Sequence, residues 1–198
     1  ISLSINAKGW LTDAKLNNYP ISLEDPTKVQ MLTTGNLHES YINSGIVGKN
    51  LVEPFKLVSL NEKDSQTIAT FEATIDDGIR WQRVYTLEQG SYLINVKDRL
   101  VGGAGLRLYR PVVEKNPEQE SLDTFNEHVG PIGLFQDKLT EVSYDDSNET
   151  GSQKFAAMDG WTGIMSRYFI SAVYGTEQYE SYRYYYNGCG RSYQADLI

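Results

Sequence analysis

Residues 66–100 read QTIATFEATIDDGIRWQRVYTLEQGSYLINVKDRL, with apolar side chains at nearly every second position. Ala69, Phe71, Ala73 and Ile75 alternate with Thr70, Glu72 and Thr74, the period of a strand with one buried face. Asp76-Asp77-Gly78 then supplies a turn, where glycine takes positive φ without a Cβ clash. The alternation resumes with Ile79, Trp81, Tyr85 and Leu87 on one face. Glu88-Gln89-Gly90 turns the chain again, and Tyr92, Ile94, Val96 and Leu100 mark a third strand. The stretch predicts a meander of three antiparallel strands.

Working outward, residues 2–6 and 11–16 flank a Lys8-Gly9 turn, and residues 39–44 precede Gly45 and Gly48. Residues 106–113 and 138–144 are further strand candidates. Tyr-rich residues 179–186, followed by Asn187-Gly188 and residues 189–197, read as a hairpin because Asn-Gly suits a two-residue turn. Many short strands at this spacing argue for an antiparallel β-sandwich. One segment departs from period two. From Trp161 the apolar residues recur as Ile164, Met165, Tyr168, Phe169 and Ala172, which predicts one amphipathic helix over 159–174, capped by Asp159 and ended at Gly175. Trp161, Ile164, Met165, Tyr168 and Phe169 are expected to dock this helix on the sheet.

At 198 residues, 40% hydrophobic and 12% aromatic, the chain has the composition of a folded protein with a substantial core. No apolar run approaches the ~20 residues that cross a bilayer. Lys+Arg 18 against Asp+Glu 26 gives a net charge of -8. That balance disfavours nucleic acid and anionic membrane surfaces as direct partners. A lone Cys189 excludes an internal disulfide and a Cys-based zinc cluster.

Little in the sequence points to catalysis. His38 and His128 are the only histidines. With Glu39 or Glu127 they could form an acid/base pair for sugar chemistry, but they lack any ligand or catalytic spacing. Gly102-Gly103-Ala104-Gly105 opens no helix and makes a poor phosphate cradle. Of 14 tyrosines, many cluster late, and cross-strand packing accounts for them better than ligand stacking. No cofactor or metal is expected.

Several stretches together resemble a known family. ISLSINAKGWLTDAKLNNYP at 1–20, QMLTTGNLHESYINSGIVG at 30–48, RVYTLEQGSYLINVKDRL at 83–100 and GWTGIMSRYFISAVY at 160–174 are similar, in order and spacing, to the large periplasmic domain of the YidC membrane protein insertase. The resemblance implies an all-β supersandwich of the galactose-mutarotase type. It further implies a place in the periplasm of a Gram-negative bacterium, as part of an inner-membrane protein. The whole insertase works alone or with the Sec translocon, so the partners implied are Sec translocon subunits and nascent inner-membrane proteins. Residues 1–198 then form a single accessory domain without catalysis of its own, lacking its connection to the membrane core. The alternative is a carbohydrate-binding or aldose-epimerase-like sandwich, which would need His38 or His128 to converge with a carboxylate in a cleft.

Residues 114–133 read as an exposed acidic connection, and within it a partner contact is expected over 114–127. Glu114, Glu118, Glu120, Asp123 and Glu127 oppose Lys115 alone, a local charge of -4. Such a segment resists burial and would be steered toward a basic partner face.

Overall fold

The computed structural model describes residues 1–35, 37–117, 128–135, 137–144, 146, 153–157, 160–166, 168–175, 182–189 and 192–197. The meander is present in full register. Strands β7 (Gln66–Ile75), β8 (Ile79–Glu88) and β9 (Ile94–Val101) pair antiparallel from Gln66↔Glu88 through Ile75↔Ile79 and from Arg80↔Val101 through Leu87↔Ile94. Asp77 at φ 63° and Gly78 at φ 69° close the first turn, both in the left-handed region. A strand absent from the sequence reading, β6 (Leu51–Lys63), adds to the free side of β7 and completes a four-stranded sheet.

The largest sheet gathers strands from both ends of the chain. It contains β1 (Ser2–Ile5), β2 (Leu11–Pro20), β3 (Lys28–Leu32), β4 (Glu39–Ile42), β11 (Val112–Lys115), β14 (Gln153–Ala157), β17 (Tyr182–Cys189) and β18 (Ser192–Leu197). Their order is β1-β2-β4-β11-β18-β17-β14, with β3 also on β2. A third sheet runs β13-β12-β15-β16, from β12 (Gly130–Phe135), β13 (Lys138–Glu141), β15 (Gly160–Ser166) and β16 (Phe169–Tyr174). Two-residue strands β5 (Gly45–Ile46) and β10 (Leu108–Tyr109) pair with each other. All these pairings are antiparallel.

The packing follows from one cross-strand row. Leu11 lies opposite Ile42, Ile42 opposite Val112, and Val112 opposite Ala195, so all four share a face of the large sheet. Leu11 and Ile42 pack with Ala69 and Tyr85 of the meander sheet. Ile42, Val112 and Ala195 pack with Phe135, Ile164 and Val173 of the third sheet. The two four-stranded sheets therefore lie side by side on the same face of the large one, an all-β sandwich with two covers. A further cluster of Ile46, Phe55, Ala73, Ile75 and Trp81 closes the far end of the meander.

The expected helix is a hairpin. Residues 160–174 form β15 and β16, paired from Trp161↔Tyr174 through Ser166↔Phe169. Of the five residues assigned to a docking helix, Ile164 alone is fully buried. Trp161, Met165 and Phe169 are half-buried, and Tyr168 is 71% exposed beside the connection between the strands. The spacing that mimics a helix is two short alternating runs joined by a tight turn, an ambiguity inherent in brief apolar segments. β-branched Thr162, Ile164, Ile170 and Val173 favour the extended form. The hairpin in turn requires glycine at 163, since a Cβ there would lie 2.3 Å from the Ser171 carbonyl oxygen across the strand pair. A second correction concerns the C-terminal turn. Cys189 pairs with Ser192, so Asn187 and Gly188 lie inside β17, opposite Gln194 and Tyr193.

Candidate functional site

The interior of the meander carries charge. Arg83 of β8 points inward between Trp81 and Tyr85 and is fully buried. Its cross-strand partner on β9 is Asp98, which accepts from Arg83 Nε at 2.7 Å and from Trp81 Nε1 at 2.6 Å on the same oxygen. The other Asp98 oxygen accepts from Arg110. Arg83 also donates to the Gly9 carbonyl at 2.8 Å and to Ser44 Oγ, and its guanidinium sits 4.5 Å from the Trp81 ring centre and 5.0 Å from that of Phe55. These contacts compensate a charge that burial alone would make prohibitive. Gly9 is obligatory here. Its φ is +74°, and a Cβ would lie 2.5 Å from Phe55.

Tyr85 completes the cluster by donating to the same Gly9 carbonyl at 3.1 Å. Burial pushes the Tyr85 hydroxyl above its ordinary value of 10.0, partly offset by the nearby charges of Arg83 and Arg110. It therefore stays a neutral donor throughout the physiological range.

Beside this cluster a cleft of about 170 Å³ opens between the two covering sheets. One wall is Ile94, Asn95 and Val96 of β9, and the other is Ala172, Val173 and Tyr174 of β16. Both are outermost strands of their sheets. Leu11 and Ile42 of the large sheet, with Tyr85 and Arg110, line the space between them. Aromatic rings stand at the mouth: Tyr92 is 42% exposed and Tyr174 48%, and Tyr19 lies 5.9 Å from both Tyr92 and Phe169. The volume is comparable to the ~150 Å³ cavity that accepts a benzene ring, enough for one large side chain. A wider depression of about 680 Å³ near the β6–β7 and β8–β9 connections is lined in part by the charged side chains of Glu62, Lys63, Asp64 and Glu88.

The residues singled out from sequence fare differently. Glu114 is not on an exposed loop: it sits in β11, buried, and accepts from Tyr144 and pairs with His38 Nε2 at 2.9 Å. Strands β11 and β12 take up the two ends of the stretch read as an acidic connection. Glu118, Glu120, Asp123 and Glu127 lie outside the described residues. His38 and Glu114 touch directly, leaving no space between them for a sugar ring, and neither lines the cleft. His128 Nε2 pairs with the Pro131 carbonyl at 3.1 Å. Among the described residues no group of three or more His, Cys, Asp and Glu side chains is gathered, and no helix is long and apolar enough to cross a membrane. Arg83, Asp98 and Arg110 were not recognised from sequence. The available signal was polar residues at inward positions of strands otherwise apolar on that face.

Comparison with known proteins bears on this architecture. The family model described as the YidC periplasmic domain matches residues 1–198. The chain belongs to this family. Similar proteins include the membrane protein insertase YidC of Aromatoleum aromaticum, 28% identical over 83% of this chain and 32% of that protein. That of Rickettsia akari is 31% identical over 50% of this chain and 18% of its own length. That of Methylococcus capsulatus is 25% identical over 87% and 34%. The chain thus spans about a third or less of the YidC relatives it matches. As a YidC periplasmic domain it resides in the periplasm, in a protein of the Gram-negative inner membrane. The family is an insertase family and not a class of enzymes.

Proposed function

We propose that this domain is a non-catalytic accessory module of its insertase that holds extended apolar polypeptide segments, those of nascent inner-membrane proteins, in the cleft between β9 and β16. One observation carries the reading: two strand edges, unpaired among the described residues, face each other across a largely apolar trough with aromatic rings at its mouth. Strand edges offer free backbone N–H and C=O groups to an extended chain, and exposed rings offer low-entropy apolar contact. Large exposed apolar side chains continue along β16 and the adjoining connections at Tyr168, Ile170 and Leu93. Family membership supports clients of this kind, because the relatives are named membrane protein insertases.

The 198 residues act as one unit in this reading, supported by Ile42, which packs in the clusters under both covering sheets. The acidic residues Glu118, Glu120, Asp123 and Glu127 provide a separate contact for the basic face of a Sec translocon subunit. Glu114 has no part in it.

Site-specific photocrosslinking in the intact insertase tests both assignments. A crosslinker at Tyr174 is expected to capture client chains, one at Glu120 to capture a translocon subunit, and one at Lys97 on the outer face of the meander to capture neither. Client capture from Lys97 and not from Tyr174 would remove the cleft reading. Translocon capture from elsewhere than Glu120 would remove the acidic contact.

A further inference from the structure

Beneath the floor of the cleft positive charge exceeds negative. Arg83 and Arg110 share the single carboxylate of Asp98, and both of its oxygens are engaged. The charges acting on the adjacent Tyr85 hydroxyl are those of Arg83, Arg110 and Asp98, two cations against one anion. Arg83 is sequestered among Trp81, Phe55, Ser44 and the Gly9 carbonyl, with its Nη2 buried and unpartnered. Arg110 differs. Its side chain is 15% exposed and lines the cleft, with one terminal nitrogen on Asp98. The excess charge is therefore presented where a ligand would lie.

A guanidinium without its own anion is costly in a partly desolvated trough, and a carboxylate brought from outside relieves that cost through charge-assisted hydrogen bonds. Arg is suited to the role because its planar fork keeps donors free after one nitrogen has been committed. Three consecutive residues from each strand wall the cleft, so a chain lying between them turns alternate side chains toward the floor. We propose that the cleft selects extended apolar segments that carry an acidic side chain, whose carboxylate pairs with Arg110. This rests on the cleft being the polypeptide-binding site, and it adds a specificity that an apolar trough alone would lack.

Calorimetric titration of the 198-residue chain with short extended apolar peptides tests it. The peptides carry a central glutamate or glutamine, each with an amidated or a free C-terminus. The amidated glutamate peptide is expected to bind about tenfold to a hundredfold more tightly than its glutamine counterpart. The difference should shrink as salt rises and vanish in Arg110→Gln, which leaves Asp98 paired with Arg83. Equal binding of the two amidated peptides would overturn the inference while leaving the cleft reading intact. A preference that survives Arg110→Gln would overturn the role of Arg110. Tighter binding only with a free C-terminus would show that a chain end, not a side chain, is recognised. Failure of every peptide to bind would overturn both readings. Should Arg110→Gln not fold, the glutamate-against-glutamine comparison on the unaltered chain decides alone.

Discussion

Replacing Asp98 with asparagine is expected to destabilise the domain by about 3–5 kcal/mol, because it strips two inward guanidinium groups of the carboxylate they share. The substitution is close to isosteric, so the loss would be electrostatic and not a cavity effect. The asparagine amide would still offer one acceptor, to Arg83 and Trp81 or to Arg110, but its NH₂ group would then face a donor on the other side. Against a typical total stability of about 5–15 kcal/mol, this removes a large share. Urea unfolding followed by tryptophan fluorescence measures it. An unchanged midpoint would mean that the guanidinium groups find other compensation and that the cluster does not hold β8 and β9 to the Gly9 loop.

The second large effect is one of sign. Gly163→Ala is expected to destabilise by at least about 1–3 kcal/mol, because the added Cβ meets the Ser171 carbonyl oxygen at 2.3 Å and Ala172 Cα at 2.8 Å. These are backbone atoms of the paired strand, and they cannot rotate away. Had residues 159–174 formed the helix their spacing imitates, the same substitution would stabilise by about 1 kcal/mol, since alanine is the better helix former. Thermal unfolding of the two proteins therefore separates hairpin from helix. A rise in the midpoint for Gly163→Ala would contradict the β15–β16 pairing.

The contrast shows which parts of the fold a sequence exposes. The meander was legible because each of its strands is buried on one face and each turn carries a glycine at positive φ, Gly78 and Gly90. Strand β6 was not, for two physical reasons. Pro54 and three register shifts against β7 break its alternation, and it exposes Leu57, Val58 and Leu60 at the sheet edge. Its turn to β7 also uses Asp64 and Ser65 at φ 50° and 67°, where no glycine announces a left-handed pair. The C-terminal hairpin was legible as a pair of strands, yet Asn187-Gly188 suggested a turn where the strands still pair, out to Cys189 and Ser192.

The site was harder to read than the fold. Its polar members lie at period-two positions of the inner face: Arg83 between Trp81 and Tyr85, and Asp98 between Val96 and Leu100. The same alternation that revealed the strands marks them as inward-facing, so their pairing across β8 and β9 was implicit. The approach of Arg110 and Gly9 was not, because it depends on how the large sheet meets the meander. The cleft itself arises from two sheet edges distant in sequence, brought together by the shared row Leu11, Ile42 and Val112. Local sequence carries no record of that meeting. Glu114 illustrates the converse error. Its acidic neighbours made it look solvated, whereas strand pairing between β4 and β18 turns it inward toward His38 and Tyr144.

The most direct test of the central claim is a backbone amide NMR titration of the isotopically labelled chain with an extended apolar peptide. A domain that receives polypeptide between its two covering sheets predicts shift changes concentrated at Leu93–Val96, at Ala172–Tyr174 and at Arg110, with the outer-face residues Thr70, Gln82 and Val84 on the inner strands β7 and β8 undisturbed. Changes centred on that outer face or on the depression beside Glu62 and Glu88, with the β9 and β16 edges silent at saturating peptide, would contradict it.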